Sequence, residues 1–130
     1  MRYLLDTNIC IYLMKNQPES VREQFERCYS GDIVISAITL AELEYGVEVS
    51  RNKTANADAL AELLEDLLVA PFDKHAAKSY GSVRAAARKG QRDALDKLIA
   101  AHAKALDVIL VTNNEKDFHS YAGLKIENWV

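Results

Sequence analysis

The sequence of 130 residues lacks the features that mark several broad classes of protein. No apolar run approaches the roughly 20 residues needed to span a bilayer, so we expect no membrane-spanning helix. Asp6 interrupts the charged-then-apolar layout of a signal peptide, which predicts a cytoplasmic protein. Cys10 and Cys28 form no metal-binding or redox spacing, and we interpret both as packed thiols.

Two common kinds of catalytic machinery are also missing. The chain has no Ser–His–Asp arrangement and no glycine-rich loop to cradle a phosphate. A net charge of −3 does not indicate bulk affinity for nucleic acid, although local patches matter more than the total. There is no repeat and no low-complexity linker, so residues 1–130 are expected to form a single domain with its own core.

Apolar runs and turn signals predict strands that alternate with helices. The expected strands are 3–5, 33–35, 69–72, 108–111 and 125–127, the last with Trp129 packing nearby. The expected helices are 9–14, 18–28, 38–50, 57–68, 73–90, 94–106 and 115–119, with 51–56 as a polar connection. This alternation predicts an α/β fold with a mostly parallel sheet covered on both faces.

Asp6 lies between the first predicted strand and the first predicted helix. Thr7 or Asn8 can cap that helix. The carboxyl ends of parallel strands form the ligand crevice of an open α/β sheet, which favours a metal-binding or catalytic role for Asp6. The alternative is that Asp6 is itself only a helix cap.

Glu42 is the second informative acid. Its helical neighbours are apolar or small: Ile38, Tyr45, Gly46 and Val49. We therefore expect Glu42 in a core-facing stripe, where an ionised carboxylate is costly unless it is paired or bound to metal. The alternative is a buried salt bridge to an arginine.

Two later acids complete the candidate set. Asp96 opens an apolar helix, but it could equally complement the helix dipole behind an Asp93 cap. Asp117 follows the clearest strand, where Glu115 competes with it and a plain surface role is the alternative. Four acids at one sheet edge would suit Mg²⁺, or Mn²⁺ as an alternative, and hydrolysis of a phosphodiester bond.

A basic run precedes the third acid. Between positions 74 and 92 there are six cationic residues and no acid: Lys74, Lys78, Arg84, Arg88, Lys89 and Arg92. Arg84 and Arg88 stand four apart on one helix face and are candidate contacts to phosphates. The alternative is an ordinary solvated helix face.

Four motifs in order give the chain its resemblance to a known family. They are Leu5-Asp6-Thr7-Asn8, Ala41-Glu42-Leu43 with Tyr45-Gly46, the run from Asp96 to Ala103, and Val111-Thr112-Asn113-Asn114 through Asp117-Phe118. Together they resemble the motifs of PIN-domain ribonucleases, and most of all the VapC toxins of type II toxin–antitoxin systems. The similarity spans essentially the whole chain.

This resemblance implies a three-layer α/β/α fold and a Mg²⁺- or Mn²⁺-dependent endoribonuclease. Some members cut tRNA. It also implies a homodimer neutralised by a cognate VapB-type antitoxin. The implied metal-binding catalytic acids are Asp6, Glu42, Asp96 and Asp117, and the implied pocket-lining residues are Thr7, Asn8, Thr112 and Asn114. Many relatives carry Asp at the position of Asn114.

Three further expectations can be checked against a structure. His102 is predicted to be a core histidine and not a ligand. The leucine-rich face of helix 57–68 is expected to exceed what the core needs and to offer a partner surface; its leucines are Leu60, Leu63, Leu64, Leu67 and Leu68. Two other functions compete with the nuclease: a catalytically weak binding module, and a haloacid-dehalogenase-like phosphatase, which would want an acid where the chain has Asn8.

Overall fold

Short apolar strands alternate with helices in the computed structural model, which describes residues 1–87, 94–119 and 121–130. The strands are β1 (Tyr3–Leu5), β2 (Ile33–Ser36), β3 (Leu68–Ala70), β4 (Ile109–Val111) and β5 (Ile126–Glu127). The helices are α1 (Thr7–Lys15), α2 (Glu19–Glu26), α3 (Ala37–Glu48), α4 (Lys53–Glu65), α5 (Lys74–Ala86), α6 (Ala94–Leu106) and α7 (Glu115–Phe118).

The strands form a parallel sheet in the order β3-β2-β1-β4-β5. Leu5 lies opposite Val111 on β4, and Ser36 lies opposite Ala70 on β3. The predicted parallel α/β sheet is therefore confirmed. Parallel pairing also aligns the carboxyl ends of these strands along one edge, and this edge positions the candidate site.

The three central strands β1, β2 and β4 contribute side chains to two separate cores, because successive residues of a strand point to opposite faces. Leu5 packs with α1, α2, α3 and α4 on one face of the sheet. Leu4 packs with α5, α6 and α7 on the other. Both leucines are fully buried. This arrangement is the expected three-layer α/β/α architecture.

Helix α4 differs from its prediction in position and in what it exposes. It begins at Lys53, inside the segment 51–56 that was expected to be a connection, because Lys, Thr and Ala are all compatible with a helix. Leu60 and Leu63 are buried in the core, and Leu68 belongs to β3. The expected surplus of apolar surface on this helix is therefore wrong.

Three helices begin at a side chain that accepts a hydrogen bond from the backbone of the first turn. Asp6 caps α1 by accepting a hydrogen bond from the Ile9 N–H at 2.9 Å, so the prediction of Thr7 or Asn8 as the cap is wrong. Ser36 caps α3 and Asp73 caps α5, and both are residue types favoured at this position. The predicted end of α5 near Gly90 and the Asp93 cap lie outside the described residues.

The remaining structural expectations concern single side chains and membrane spans. Cys10 is buried, Cys28 is half-buried, and both are free thiols. His102 is buried in α6, as predicted. Among the residues that the structure describes, no helix is both long and apolar enough to cross a bilayer.

Candidate active site

The carboxyl ends of β1 and β4 bring together two side chains of the candidate set. Asp6 directly follows β1, and Thr112 directly follows β4; both are buried. The Asp6 N–H donates to the Val111 carbonyl at 3.0 Å, which extends the strand pairing to the acid itself. The backbone therefore fixes the position of the carboxylate.

The Asp6 carboxylate lies in a protein environment that disfavours its charge. Burial raises its pKa above the ordinary value, and the nearby charge of Glu42 raises it further. Hydrogen bonds from the Thr112 hydroxyl and from the N–H groups of Ile9 and Asn8 act in the opposite direction. Burial is the largest of these effects, so an ionised Asp6 gains from a cation in a way that a solvated acid would not.

Thr112 holds Asp6 through a directional network. Its hydroxyl bonds to Asp6 and also accepts the Asn114 N–H at 2.9 Å. A hydroxyl that already accepts a backbone N–H still has its own proton to donate to the carboxylate. The predicted pocket-lining position of Thr112 thus coincides with direct contact to Asp6.

Glu42 approaches this edge from α3. Its Oε1 accepts the Thr7 hydroxyl at 2.8 Å, and Thr7 Oγ1 lies 3.5 Å from the hydroxyl of buried Thr39. Glu42 is half-buried. Thr7, the residue after Asp6, therefore links α3 to the start of α1, and the Glu42 charge is near enough to act on Asp6.

The predicted core-facing stripe around Glu42 is wrong. The buried residues of α3 are Thr39, Leu43 and Val47, which recur every four positions. Tyr45 and Val49 are 69% and 61% exposed. Leu43 and Val47 direct the helix against the core shared with α1 and α4, so Glu42 lies beside the core-facing side and not at its centre.

The other acids occupy more open positions. Asp117 is exposed on α7, and its Oδ2 accepts a hydrogen bond from the Asn114 side chain. Glu115 is also exposed, and Asn114 is half-buried. Asp96 is half-buried in the first turn of α6. The convergence of Asp96 and Asp117 on Asp6 stays a prediction.

The chemistry of the acids can be compared with what a divalent ion requires. In the described part of the chain, no group of three or more His, Cys, Asp or Glu side chains is arranged as a metal cluster. Mg²⁺ commonly takes only one or two carboxylates and completes its shell with waters and substrate phosphates. The neighbouring acids Asp6 and Glu42, one of them strongly desolvated, fit that requirement.

Two threonines at the site have roles that the sequence did not indicate. Thr7 was expected only to line the pocket or cap a helix, but it is the hydrogen-bond donor to Glu42. Thr39 was not among the candidate site residues, although it lies buried beside Thr7. These contacts join residues 32 and 35 positions apart, so periodicity could not reveal them.

Two further surface features bear on the site, a groove that includes Glu42 and a helix with exposed basic residues. The groove, of about 210 Å³, runs between α1, α3 and α4; it is lined by Ile11, Met14, Lys15, Glu42, Leu43, Gly46, Val47 and Asn56. Helix α5 exposes Lys74, Lys78 and Arg84, and Arg84 donates to the Tyr80 hydroxyl at 3.4 Å. Arg88, the second predicted RNA contact, lies outside the described residues.

Comparisons with known proteins agree on one family. A family model described as PIN domain matches residues 3–124. A tRNA(fMet)-specific endonuclease VapC from Shigella flexneri is 40% identical over 99% of this chain and 98% of its own length. A ribonuclease VapC from Haemophilus influenzae is 35% identical over 100% of this chain and 99% of its own.

Solved structures extend this agreement to the fold. The DNA-bound VapBC from Salmonella typhimurium contains a chain that superposes with a TM-score of 0.91 at 39% identity. The superposition covers 100% of this chain and 99% of that one.

Proposed function

The chain belongs to the PIN-domain family, and we propose that it is a divalent-metal-dependent endoribonuclease, the toxin of a type II toxin–antitoxin pair. The observation that carries this proposal is the pairing of buried Asp6 with Glu42 at the carboxyl edge of the sheet. The similarity to VapC nucleases over the full length supports the reaction class. The expected single domain and cytoplasmic location belong to the same proposal.

Asp6 and Glu42 would hold the ion, with Asp96 and Asp117 as further proposed ligands. A bound divalent ion would supply an activated water and stabilise charge on the phosphate and the leaving oxygen. Thr112 fixes the Asp6 carboxylate, and Thr7 fixes that of Glu42. Hydrogen bonds of this kind, made to the ligands and not to the ion, orient the ligands before the substrate arrives.

The alternatives explain less of this geometry. The phosphatase needs a second acid where Asn8 stands, two residues after Asp6. A binding module gains nothing from a desolvated Asp6 beside a second carboxylate. Divalent-dependent cleavage of RNA separates the enzyme from the module, and an aspartyl-phosphate intermediate would identify the phosphatase.

We extend the proposal to tRNA as the substrate, because a relative at 40% identity is named for a tRNA. The experiment is sequencing of RNA 5′ ends after a brief induction of this chain in cells. New ends confined to tRNA are expected, and they should be missing from cells that express Asp6→Asn. Ends scattered over messenger RNA would contradict the tRNA assignment while leaving the nuclease intact.

Basic residues on α5 are proposed to contact RNA phosphates. Arg84→Gln is expected to weaken RNA binding and to reduce the slope of log affinity against log salt by about 0.7, the value for one phosphate contact on a single strand. The measurement is RNA binding to the Asp6→Asn protein, which should not cut, at several salt concentrations.

Lys125→Gln is the matched control for this effect. Lys125 is exposed and precedes β5, so it lies toward the opposite edge of the sheet, beside Asp107. It should leave the salt dependence unchanged. Equal slopes of log affinity against log salt for wild type, Arg84→Gln and Lys125→Gln would show that Arg84 is an ordinary solvated residue with no phosphate contact. The Arg84→Gln, Arg88→Gln double variant extends the test to the second predicted contact.

A VapB-type antitoxin is the proposed partner, and the groove between α1, α3 and α4 is its proposed seat. The groove is mainly apolar and includes Glu42, so a segment that fills it also reaches the site. Solved relatives are VapBC complexes, which supports this partner. A homodimer is also proposed, and the exposed Tyr45 on α3 and Val49 directly after α3 offer apolar surface for one.

Growth provides the test of the partner. Expression of the chain alone is expected to stop growth, and co-expression of the antitoxin encoded beside it should restore growth. A Cβ built at Gly46 meets no atom within 4 Å, so Gly46→Ala should be rescued like wild type. Gly46→Phe should fill the groove and stay toxic in the presence of antitoxin. Rescue of both variants would show that the antitoxin does not bind in this groove. A wild-type chain that is harmless at high expression would contradict the toxin proposal.

A further inference from the structure

A buried histidine joins two of the helices that carry proposed metal ligands. His102 of α6 is 1% exposed, and its Nδ1 lies 2.8 Å from the hydroxyl of Ser36, which is 0% exposed. Ser36 ends β2 and caps α3 by accepting the Ile38 N–H at 3.1 Å. A single side chain of α6 therefore contacts the residue from which α3 starts.

The hydrogen-bond roles in this network are determined by chemistry. Proline has no N–H, so the ring must donate to the Pro71 carbonyl with which it is hydrogen-bonded. Nδ1 faces Ser36, so Nε2 carries that proton and Nδ1 accepts. Ser36 already accepts the Ile38 N–H and donates its own hydroxyl proton to His102. Every polar group in the chain Ile38–Ser36–His102–Pro71 is satisfied by the neutral ring.

The remaining neighbours hold the ring in place. Phe72 packs edge-on, with ring centroids 5.2 Å apart and an interplanar angle of 76°. Asp73, the cap of α5, is the charged group that acts on His102. The ring is thus fixed from the end of β2 and from the connection between β3 and α5.

Both proposed ligands stand at the same short distance in sequence from this contact. Asp96 precedes His102 by six residues on α6, and Glu42 follows Ser36 by six residues on α3. Six helical residues span about 9 Å, so a shift at the His102–Ser36 bond is transmitted along rigid helix to both acids. No residue of the network belongs to the proposed ligand set.

We infer that His102 is a positioning residue, which uses its hydrogen bond to Ser36 to set α6, with Asp96, against α3, with Glu42, at the spacing a divalent ion requires. This inference rests on the proposed function, because it deepens the account of the same metal site. On this inference, affinity for the divalent ion depends on the His102–Ser36 hydrogen bond and not on the His102–Pro71 hydrogen bond.

Two conservative substitutions separate the two bonds. His102→Asn places an acceptor near the position of Nδ1 and loses the donor to Pro71. His102→Gln reaches toward Pro71 and loses the acceptor near Ser36. His75→Asn, at an exposed histidine of α5, is the control for the substitution itself.

The measurement is Mn²⁺ affinity of the full chain, read from the electron paramagnetic resonance signal of free Mn²⁺, together with thermal melting in chelator. His102→Asn and His75→Asn should bind Mn²⁺ within about threefold of wild type. His102→Gln should bind at least about tenfold more weakly, the lower end of the loss seen when a partner that orients a metal ligand is removed. A purely structural histidine would change the melting temperature and leave Mn²⁺ affinity alone.

Two outcomes would contradict the inference about His102, and another would refute the proposed function on which it rests. Equal Mn²⁺ affinity in all folded variants, or a weaker His102→Asn than His102→Gln, would show that the Ser36 bond does not set the site. If His102→Gln does not fold, His102→Asn still decides, since a tenfold loss there contradicts the inference. Failure of wild type itself to bind Mn²⁺ and to cut RNA would instead refute the proposed function.

Discussion

Asp6→Asn is expected to lower RNA cleavage by about 10³-fold, because losing several kcal/mol of metal-supplied stabilisation at about 1.4 kcal/mol per decade gives that factor. The substitution is close to isosteric. Asn caps helices as well as Asp does, and its side-chain oxygen can still accept the Ile9 N–H. A loss of this size would therefore report the missing charge and not a damaged helix.

The same variant should melt at a higher temperature than wild type in chelator. Burial raises the folded pKa of Asp6 above its unfolded value of 3.8. The stability that this shift contributes is present below the unfolded pKa and is lost as pH rises through the folded pKa. At pH 7 the ionised Asp6 carboxylate therefore costs stability, whereas the neutral amide introduced by Asp6→Asn does not. The control is pH 3, where protonated Asp6 removes most of the difference between the two proteins.

Saturating Mn²⁺ should reverse that order. An ion that binds only the native state adds about 2.7 kcal/mol at a hundredfold excess over its dissociation constant, and Asp6→Asn should gain far less. Thermal melting of both proteins with chelator and with Mn²⁺ gives the four values needed. Equal gains from Mn²⁺ would show that Asp6 is only a helix cap.

Glu42→Gln is expected to reduce cleavage by about 10²-fold, since it removes one of two carboxylates while keeping the size of the side chain.

Substitutions of Thr7 test the hydrogen bond that it donates to Glu42. A hydrogen bond to a charged group contributes about 1.5–3 kcal/mol, so Thr7→Val should lose on the order of tenfold or more in cleavage. Thr7→Ser retains the hydroxyl and should stay near wild type.

The response to Mn²⁺ also distinguishes a metal-binding role of Glu42 from a structural ion pair. Glu42→Gln should also gain less stability from Mn²⁺ than wild type does. If it melts below wild type in chelator and responds to Mn²⁺ as wild type does, Glu42 is a structural ion-pair partner. Kinetics with a single-stranded RNA substrate and melting curves of the same preparations decide between the two roles.

The sequence predicts the architecture well because its signals are local. Buried strands such as Ile33–Ser36 are short apolar runs next to turn residues, and the caps Ser36 and Asp73 belong to residue types that commonly begin helices. Asp6 and Thr112 could be placed at one edge because each directly follows a strand, and parallel pairing then brings the strand ends together.

Predictions that depended on tertiary packing were less successful. The periodicity of α3 allows two neighbouring stripes, and only contact with α1 and α4 selects Thr39, Leu43 and Val47 over the one that contains Glu42. Helix α4 likewise takes in polar residues from Lys53 onward, and the strand pairing of Val34 with Leu68 removes that leucine from the helix. Such choices follow from long-range contacts that a single segment does not encode.

The Asp6–Glu42 edge is proposed to be a divalent-metal nuclease site, and cleavage of a labelled tRNA against Mn²⁺ concentration tests this most directly. The assay compares wild type, Asp6→Asn and Glu42→Gln purified in parallel, with chelator as the zero point. We expect no cleavage in chelator, saturable cleavage by wild type on addition of Mn²⁺ or Mg²⁺, and losses of about 10³-fold and 10²-fold in the two variants. Undiminished cleavage by wild type in chelator, or by Asp6→Asn with metal present, would contradict it.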